Sequence, residues 1–285
     1  MRLNFGCGLA LSVWLVGAQD LSRPSLGVVY DSPSHSLRRI TGVAGAAYLG
    51  QPFVTDLSFA CVAPGSRSAL LVRDGQLSIM ALPSGSTEIV VDAAPGVTGC
   101  VWASDGSAVA VQGETSGWFR LDKSTAWNAL PPDRLIAAIG SGGKSRVYSA
   151  ENVTYVEHDG GAGMVLGEAV SAAHFGPDGR LYLSGKSGDL LVYHEGSITR
   201  LASLGRATAL HTVHTNRLGA LTERGLAVVN TKQYDEPVLT DAPAATLERL
   251  SGSIFLLRGR ASDSEPLWIY DAAQGIALFV PGRDQ

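Results

Sequence analysis

A repeat of about forty residues constrains the fold of this chain more than any other feature of its sequence. Residues 172–183 and residues 99–110 each read as a strand, a tight Asp-Gly turn and a second strand. Weaker copies of this hairpin occur four more times. The six equivalent turn positions are 40, 37, 36, 38 and 36 residues apart and are occupied by Pro64, Ser104, Ser141, Pro177, Thr215 and Ser251. One four-stranded propeller blade takes about forty residues, so the period predicts a β-propeller.

Further strands follow each hairpin at regular distances. Third strands are predicted at residues 77–82, 118–121, 153–157, 190–193, 226–229 and 267–270. Fourth strands are predicted after several of them, at residues 88–91, 198–202 and 276–280. Pairs such as Ser84-Gly85 and Glu195-Gly196 separate third from fourth strands, and glycine supplies the positive φ that short hairpins need. Six complete blades result.

One fragment precedes the first complete blade. Residues 27–31 resemble a third strand and residues 36–40 resemble a fourth, with no first or second strand before them. The fragment is either a reduced seventh blade or a part of the last blade that closes a six-bladed ring. Because the last blade has four strands of its own, we favour a single all-β propeller of about seven four-stranded blades, one of them reduced. Either arrangement brings the ends of the ring together and removes exposed sheet edges.

The local pattern resembles the Pro-Asp-Gly repeats of bacterial TolB-type and WD40-like (PD40-like) propellers. Residues 175–179, Phe-Gly-Pro-Asp-Gly, carry the match, and residues 102–106 carry it less well. TolB proteins have an additional α/β domain before the propeller, for which this chain has no room. The Gly-His and Trp-Asp dipeptides typical of WD40 blades do not stand in register here. The resemblance therefore implies the fold, and it implies none of the partners of those families.

The first eighteen residues have the outline of a secretory signal peptide. Arg2 precedes an apolar run from Leu9 to Val16, and the segment ends with the small residues Gly17 and Ala18. The run is too short for a membrane span, so we expect cleavage after Ala18, a propeller domain over residues 19–285 and no membrane span in the mature chain. We expect a secreted or periplasmic bacterial protein. A lipoprotein anchored through Cys7 is the alternative.

Composition argues against nucleic acid as a partner. Charged residues make up 17% of the chain, the formal net charge is −4, and Lys and Arg are scattered along the sequence. Nucleic-acid binding requires a clustered basic footprint, which is missing. No linker rich in Pro or Ser divides the chain, so we expect one domain, and we expect it to be a monomer.

Motifs for catalysis, metals and cofactors are weak. Residues 138–145 satisfy a loose phosphate-loop pattern, but strand residues follow where that motif needs a helix, so we interpret them as a hairpin turn. No Gly-x-Ser-x-Gly elbow, His-Glu-x-x-His or calcium loop occurs. His211 and His214 point to opposite faces of one strand, and His174 lies on another first strand that lines the channel. We expect buried or rim histidines, no metal and no cofactor.

Cys61 and Cys100 are the only cysteines left after cleavage of the signal peptide. Both lie on first strands of adjacent blades, and an oxidising compartment permits a disulfide between them. Stacked sheets lie about 10 Å apart, whereas a bridge needs Cα atoms within about 7 Å, so only convergence of the inner strands would allow it. The alternatives are a bridge and two buried free thiols.

The predicted function is a noncatalytic scaffold that binds an unknown protein or small ligand, and the alternative is a propeller enzyme of the glycan lyase or lactone hydrolase type. We place binding on the loops between second and third strands, since recognition concentrates on polar loops held by a rigid scaffold. Simple solvation of these charged residues is the competing interpretation. The candidate residues are Arg73, Asp74, Glu114, Lys186, Asp189, Glu223, Arg224, Arg258, Arg260, Asp263 and Glu265.

Overall fold

The computed structural model describes residues 24–82, 84–92, 96–121, 126–131, 134–150, 152–159, 161, 163–232, 238–240, 244–259 and 266–281. The predicted signal peptide, residues 1–18, lies outside these residues. The described chain forms 27 strands in seven antiparallel sheets and a 3₁₀ turn at Ser141–Gly143. None of its helical segments is long and apolar enough to cross a membrane. The predicted all-β propeller with seven blades, one of them reduced, is confirmed.

The blades are numbered in chain order. Among the described residues, blade 1 has three strands, which are β1 (Ser25–Asp31), β2 (Ser36–Thr41) and β3 (Tyr48–Val54). Blade 2 contains β4 (Phe59–Val62), β5 (Ser68–Arg73), β6 (Gln76–Ala81) and β7 (Thr87–Val91). Blade 3 contains β8 (Gly99–Trp102), β9 (Ala108–Gln112), β10 (Gly117–Arg120) and β11 (Asn128–Ala129). Blade 4 contains β12 (Leu135–Ile139), β13 (Ser145–Ala150), β14 (Val153–His158) and β15 (Met164–Glu168).

The remaining three blades each have four strands. Blade 5 contains β16 (Val170–Phe175), β17 (Leu181–Gly185), β18 (Asp189–His194) and β19 (Ser197–Ser203). Blade 6 contains β20 (Ala207–His214), β21 (Arg217–Thr222), β22 (Gly225–Asn230) and β23 (Val238–Thr240). Blade 7 contains β24 (Thr246–Ser251), β25 (Ile254–Arg258), β26 (Leu267–Asp271) and β27 (Ile276–Val280). All the third and fourth strands expected from the repeat are confirmed.

Burial of the second strands explains why the blades stack. β9 reads Ala-Val-Ala-Val and β17 reads Leu-Tyr-Leu, and every one of these residues is buried, because a neighbouring blade covers each face of the sheet. Each adjacent pair of blades encloses one apolar cluster, and the cluster between blades 7 and 1 completes the ring. Burial of apolar area between sheets therefore holds the blades at fixed angles around a central axis.

Blade 1 differs from the sequence prediction in the role of its strands. The start of β1 lies beside the turns that follow β4 and β24. Ser66 forms a hydrogen bond with Val28, and Ser251 forms one with Leu26. The turn after β1 lies beside the segment that precedes β4, since the Leu57 N–H donates to His35 O at 3.0 Å. β1 thus runs opposite to the other innermost strands and has the direction of a second strand.

The fragment assigned to third and fourth strands therefore supplies the second and third. Its fourth strand is β3, which the sequence analysis missed because Gly50 and Pro52 interrupt its apolar pattern. Within the residues that the structure describes, this blade has no first strand.

The ring closes between blades 7 and 1 without a shared sheet. Ser66 Oγ accepts a hydrogen bond from the Val28 N–H at 3.0 Å and donates to Leu250 O at 3.3 Å, so one hydroxyl joins blades 1, 2 and 7. The Ser251 hydroxyl donates to Leu26 O at 2.8 Å. The approach is close enough that a Cβ on Gly27 would lie 2.9 Å from Ser66 Oγ. Packing and these hydrogen bonds close the ring. A six-bladed ring would instead have closed by pairing of the N-terminal fragment with the last blade.

One smaller prediction also holds. Residues 138–145 form the end of β12, the 3₁₀ turn and the start of β13, so the phosphate-loop pattern is a hairpin turn. Large aromatic rings fill part of the space between sheets: Trp102, Trp118, Trp127 and Trp268 all pack against the apolar clusters between blades.

Candidate functional site

The innermost strands surround a central channel that contains a cavity of about 480 Å³. Every blade contributes, because the first strands converge on the propeller axis while the outer strands diverge from it. Most of the lining is apolar, including Phe59 and alanines of the innermost strands such as Ala138 and Ala173. A small polar set interrupts it, and its members are Tyr30, Ser32, Ser104, His174, Thr208, His211, Thr246, Glu248, Arg249 and Arg258. An apolar cavity with a few convergent polar groups is the usual form of a small-ligand site.

Two of the histidines are in contact across adjacent blades. The rings of His174 on β16 and His211 on β20 lie 5.2 Å apart between centroids, and His211 also lies 6.5 Å from the ring of Phe255. The Thr212 N–H donates to His174 Nε2 at 3.1 Å, so this nitrogen carries no proton. Thr212 Oγ1 lies 3.1 Å from the same nitrogen. His214 is exposed, as expected from its position on the opposite face of β20.

Burial keeps both imidazoles neutral. Burial is the main cause that lowers the pKa of His211 to about 4; the Glu248 carboxylate partly opposes it, and the Arg249 charge acts in the same direction as burial. Burial likewise holds the pKa of His174 well below its usual value, and His211 and Arg249 act in the same direction. At neutral pH the pair therefore presents polar, uncharged rings to the cavity.

The histidine pair predicts a loss of stability in mild acid. The unfolded chain takes up a proton at His211 as the pH falls below 6.5, whereas the folded chain does so only near the folded pKa of about 4. Between pH 7.5 and pH 5 the free energy of unfolding should fall by about 2 kcal/mol through His211 alone. Urea unfolding at both pH values measures it.

His211→Gln removes this titrating ring and should reduce the dependence between pH 7.5 and 5 by about 2 kcal/mol, while the contribution of His174, whose pKa is also lowered, remains. The matched control is His214→Gln, which changes an exposed ring on the same strand and should keep the wild-type slope. An identical slope in wild type and His211→Gln would show that His211 titrates alike in the folded and unfolded chains.

A half-buried ion pair lies on blade 7. Arg258 Nε donates to Glu248 Oε1 at 2.8 Å and Nη2 donates to Oε2 at 3.4 Å, and both side chains line the cavity. Only 10% of the Arg258 side chain is exposed. Arg258 is therefore the last residue of β25 and a channel residue, where the sequence analysis placed it on an exposed loop. Its predicted companions Arg260, Asp263 and Glu265 lie outside the described residues.

One end of the channel opens beside the turns between first and second strands. We call this opening the turn-side mouth; its cavity of about 280 Å³ is lined by Pro64, Ser104, Asp105, Ser141, His174, Pro177, His211, Thr212 and Arg249. Arg249 donates from Nε and Nη2 to Gly252 O at 3.2 and 3.0 Å. The Asp105 carboxylate accepts hydrogen bonds from the Ser107 N–H and hydroxyl. Partial desolvation raises the pKa of Asp105, but these bonds outweigh it, so the pKa is lowered and the group is anionic.

The other predicted loop residues are distributed around the opposite face. Their loops are short turns of two to four residues between the second and third strands of blades 2, 3, 5 and 6. Arg73 donates to Thr55 O, Lys186 Nζ donates to Asn152 Oδ1 at 3.3 Å, and Asp189 pairs with Arg200 at 2.9 Å. Among the described residues no hydrogen bond or ion pair joins any two of the seven, which are Arg73, Asp74, Glu114, Lys186, Asp189, Glu223 and Arg224.

Cys61 on β4 and Cys100 on β8 are paired in a disulfide that faces the channel. Their Cα atoms lie 6.5 Å apart, because the innermost strands of blades 2 and 3 converge near the axis. The Trp102 indole N–H donates to Cys61 Sγ at 3.2 Å. The described residues contain no group of three or more His, Cys, Asp or Glu side chains that could hold a metal ion.

No protein-family model and no curated protein matches the chain. Among solved structures, the C-terminal WD40 domain of Sif2 superimposes with a TM-score of 0.55 at 11% identity, over 91% of this chain and 84% of that one. A functionally unknown protein from Desulfotomaculum acetoxidans DSM 771 superimposes with a TM-score of 0.58 at 12% identity, over 90% of this chain and 95% of that one. The fold is that of a WD40-like propeller. Similarity at these identities establishes architecture and carries no ligand with it.

Sequence reasoning missed the charged channel residues Glu248, Arg249 and Asp105. A signal for the first two was present, because the charged pair interrupts the apolar β24 between Leu247 and Leu250. A charged pair within an innermost strand must face the channel or a partner, since the faces of the sheet are buried. Asp105 gave no such signal, because an Asp at this turn position also serves the turn itself, as Asp178 does in blade 5.

Proposed function

We propose that this chain is an exported, noncatalytic propeller that binds a protein or a small ligand at its central channel. The observation that carries the proposal is the cavity of about 480 Å³ in which neutral imidazoles and one ion pair face otherwise apolar walls. A rigid ring of stacked sheets holds these groups in place, so little ordering entropy is lost on binding. Export rests on the outline of a signal peptide in residues 1–18.

The polar groups of the channel suit binding better than catalysis. A hydrolytic pair would need a hydroxyl activated by an imidazole that a third group orients. In the described part of the channel, Thr212 Oγ1 does lie 3.1 Å from His174 Nε2, a contact that favours the enzyme alternative. The backbone N–H of the same threonine already bonds to that nitrogen, which therefore has less capacity to accept a proton from the hydroxyl. The charges of Glu248 and Arg258 are likewise paired with each other.

A plug in the channel tests the proposal. The tagged full chain is expressed in its own host, recovered from the periplasm or medium, and its bound molecules are identified by mass spectrometry. Thr246→Arg places a long side chain at an exposed position of the channel lining, and we expect this change to abolish the capture seen with wild type. The matched control Thr199→Arg lies on the outer strand β19 and should retain capture.

Other results of this experiment would contradict parts of the proposal. Equal capture by the two arginine variants would move the site to another surface, and Lys186→Ala with Arg224→Ala would then test the opposite face. Recovery of the chain only from the cytoplasm, with residues 1–18 retained in its intact mass, would contradict export. Turnover of a captured ligand that is lost in Thr212→Val would support the enzyme alternative.

A further inference from the structure

The turn-side mouth carries unlike charges on its two sides. Arg249 belongs to blade 7, whereas Asp105 belongs to blade 3, so blades 4, 5 and 6 separate them along one side of the ring. Both line the same cavity of about 280 Å³, yet no ion pair joins them. The mouth is therefore polarised across its width, with a guanidinium on one rim and a carboxylate on the other.

Neither charge has a counter-ion within the described part of the chain. Arg249 donates only to a carbonyl, Gly252 O, and its remaining N–H groups have no partner there. Asp105 accepts from the hydroxyl and N–H of Ser107 and from the hydroxyl of Ser141, which are neutral groups. Elsewhere in the described chain arginines do pair directly with carboxylates, as Arg258 does with Glu248 and Arg200 does with Asp189. The two charges at the mouth remain available to a ligand.

The groups between the charges are polar and uncharged. His174 and His211 lie on blades 5 and 6 beside Arg249, and burial keeps both rings neutral. The hydroxyls of Ser104 and Ser141 lie toward Asp105. The charges of the lining therefore sum to zero, so a ligand with one positive and one negative group would match the mouth better than a simple anion or cation.

We propose that the turn-side mouth binds a small zwitterion, a free α-amino acid or a dipeptide, with its carboxylate on Arg249 and its ammonium on Asp105. The guanidinium offers the planar pair of N–H donors that suits a carboxylate. The cavity of about 280 Å³ is of the size that suits a small ligand. The inference rests on the proposed binding function and adds the chemical class of the ligand.

Four matched probes test the assignment by isothermal titration calorimetry. L-leucine and glycyl-L-leucine carry both charges, N-acetylglycyl-L-leucine carries only the carboxylate, and glycyl-L-leucinamide carries only the ammonium. We expect at least one of the two zwitterions to bind at probe concentrations up to about 10 mM. We expect each single-charge probe to bind at least about tenfold more weakly than the better zwitterion, because one charge of the mouth is then unpaired.

Charge-removing variants link each end of the ligand to one residue. Arg249→Gln should weaken binding of the zwitterion at least about tenfold and leave binding of glycyl-L-leucinamide unchanged. Asp105→Asn should also weaken binding of the zwitterion at least about tenfold, and it should leave binding of N-acetylglycyl-L-leucine unchanged. Asp178→Asn is a matched control, because Asp178 holds the equivalent turn of blade 5, bonds to the Arg180 N–H at 3.2 Å and does not line the cavity. The exposed Arg217, changed to Gln, is the control for Arg249. Thermal melting confirms that all four variants are folded.

Three outcomes would overturn the inference. If N-acetylglycyl-L-leucine binds as tightly as the zwitterion and Asp105→Asn has no effect, the mouth is an anion site. If binding survives both variants, the probes bind elsewhere. If neither zwitterion binds while wild type still captures a partner that Thr246→Arg loses, the ligand class is wrong and the proposed channel function stands.

Discussion

Replacing Cys61 and Cys100 together with serine should lower the free energy of unfolding by about 4 kcal/mol. The disulfide joins residues 39 positions apart, and a loop of this length restricts the unfolded chain by roughly that amount in the loop-entropy model. The bridge also links the innermost strands of blades 2 and 3, where the sheets approach each other most closely. Urea unfolding of the oxidised wild type and the double variant measures the difference.

The same loss should follow from reduction without mutation. Wild type unfolded in the presence of dithiothreitol should match the double serine variant, and dithiothreitol should leave the double variant unchanged. Titration of thiols in denaturant without reductant should find none from this pair. Two reactive thiols per mature chain would mean that the cysteines are free, and the predicted loss of stability would then disappear.

Truncating Phe255 should destabilise the propeller by about 3–5 kcal/mol. Its ring is fully buried on β25 and fills the space between blades 6 and 7, where it packs among Val213, Leu226 and Tyr270. Phe255→Ala leaves a cavity there, because the neighbouring sheets are held at their spacing by the rest of the ring. Unfolding in urea gives the change in free energy.

Phe53→Ala is the matched control for this change. Phe53 lies on the outer strand β3, its side chain is 40% exposed, and its main contact is the Arg39 guanidinium, 5.4 Å from the ring centre. Losing it should cost less than about 1 kcal/mol. Similar losses in the two variants would mean that Phe255 does not fill a closed interface between blades 6 and 7. The position of His211, whose ring borders Phe255, would then also be in doubt.

Much of the fold followed from local sequence. The strand–turn–strand units, five of the six with glycine at the turn, recur about every 36–40 residues, which determined the number of complete blades. Strand type and turn type depend on neighbouring residues, so a pattern such as residues 172–183 predicts its own hairpin. Blade 1 was misassigned because its strands lack this hairpin signature and its direction depends on contacts with Ser66 and Ser251.

The candidate site followed from sequence only in part. The sequence placed His174 on an innermost strand and raised a possible proximity to His211, and it identified Cys61 and Cys100 as the one pair able to form a bridge. It directed attention to the second-to-third-strand loops because loops commonly carry recognition. The polar side chains that share a cavity are instead on innermost strands and on the first turns, with Arg258 at the end of β25.

The sequence by itself determined the all-β class, the repeat and hence the stacking of blades, because alternation and turn chemistry act over a few residues. The tertiary structure alone decided which residues share the channel. Asp105, His174, His211 and Arg249 are separated by 69, 37 and 38 positions along the chain. Nothing in their local sequence indicates that they line the same cavity. They meet because first strands from successive blades converge on one axis. That convergence is set by how the apolar faces of whole sheets pack, which no single segment encodes.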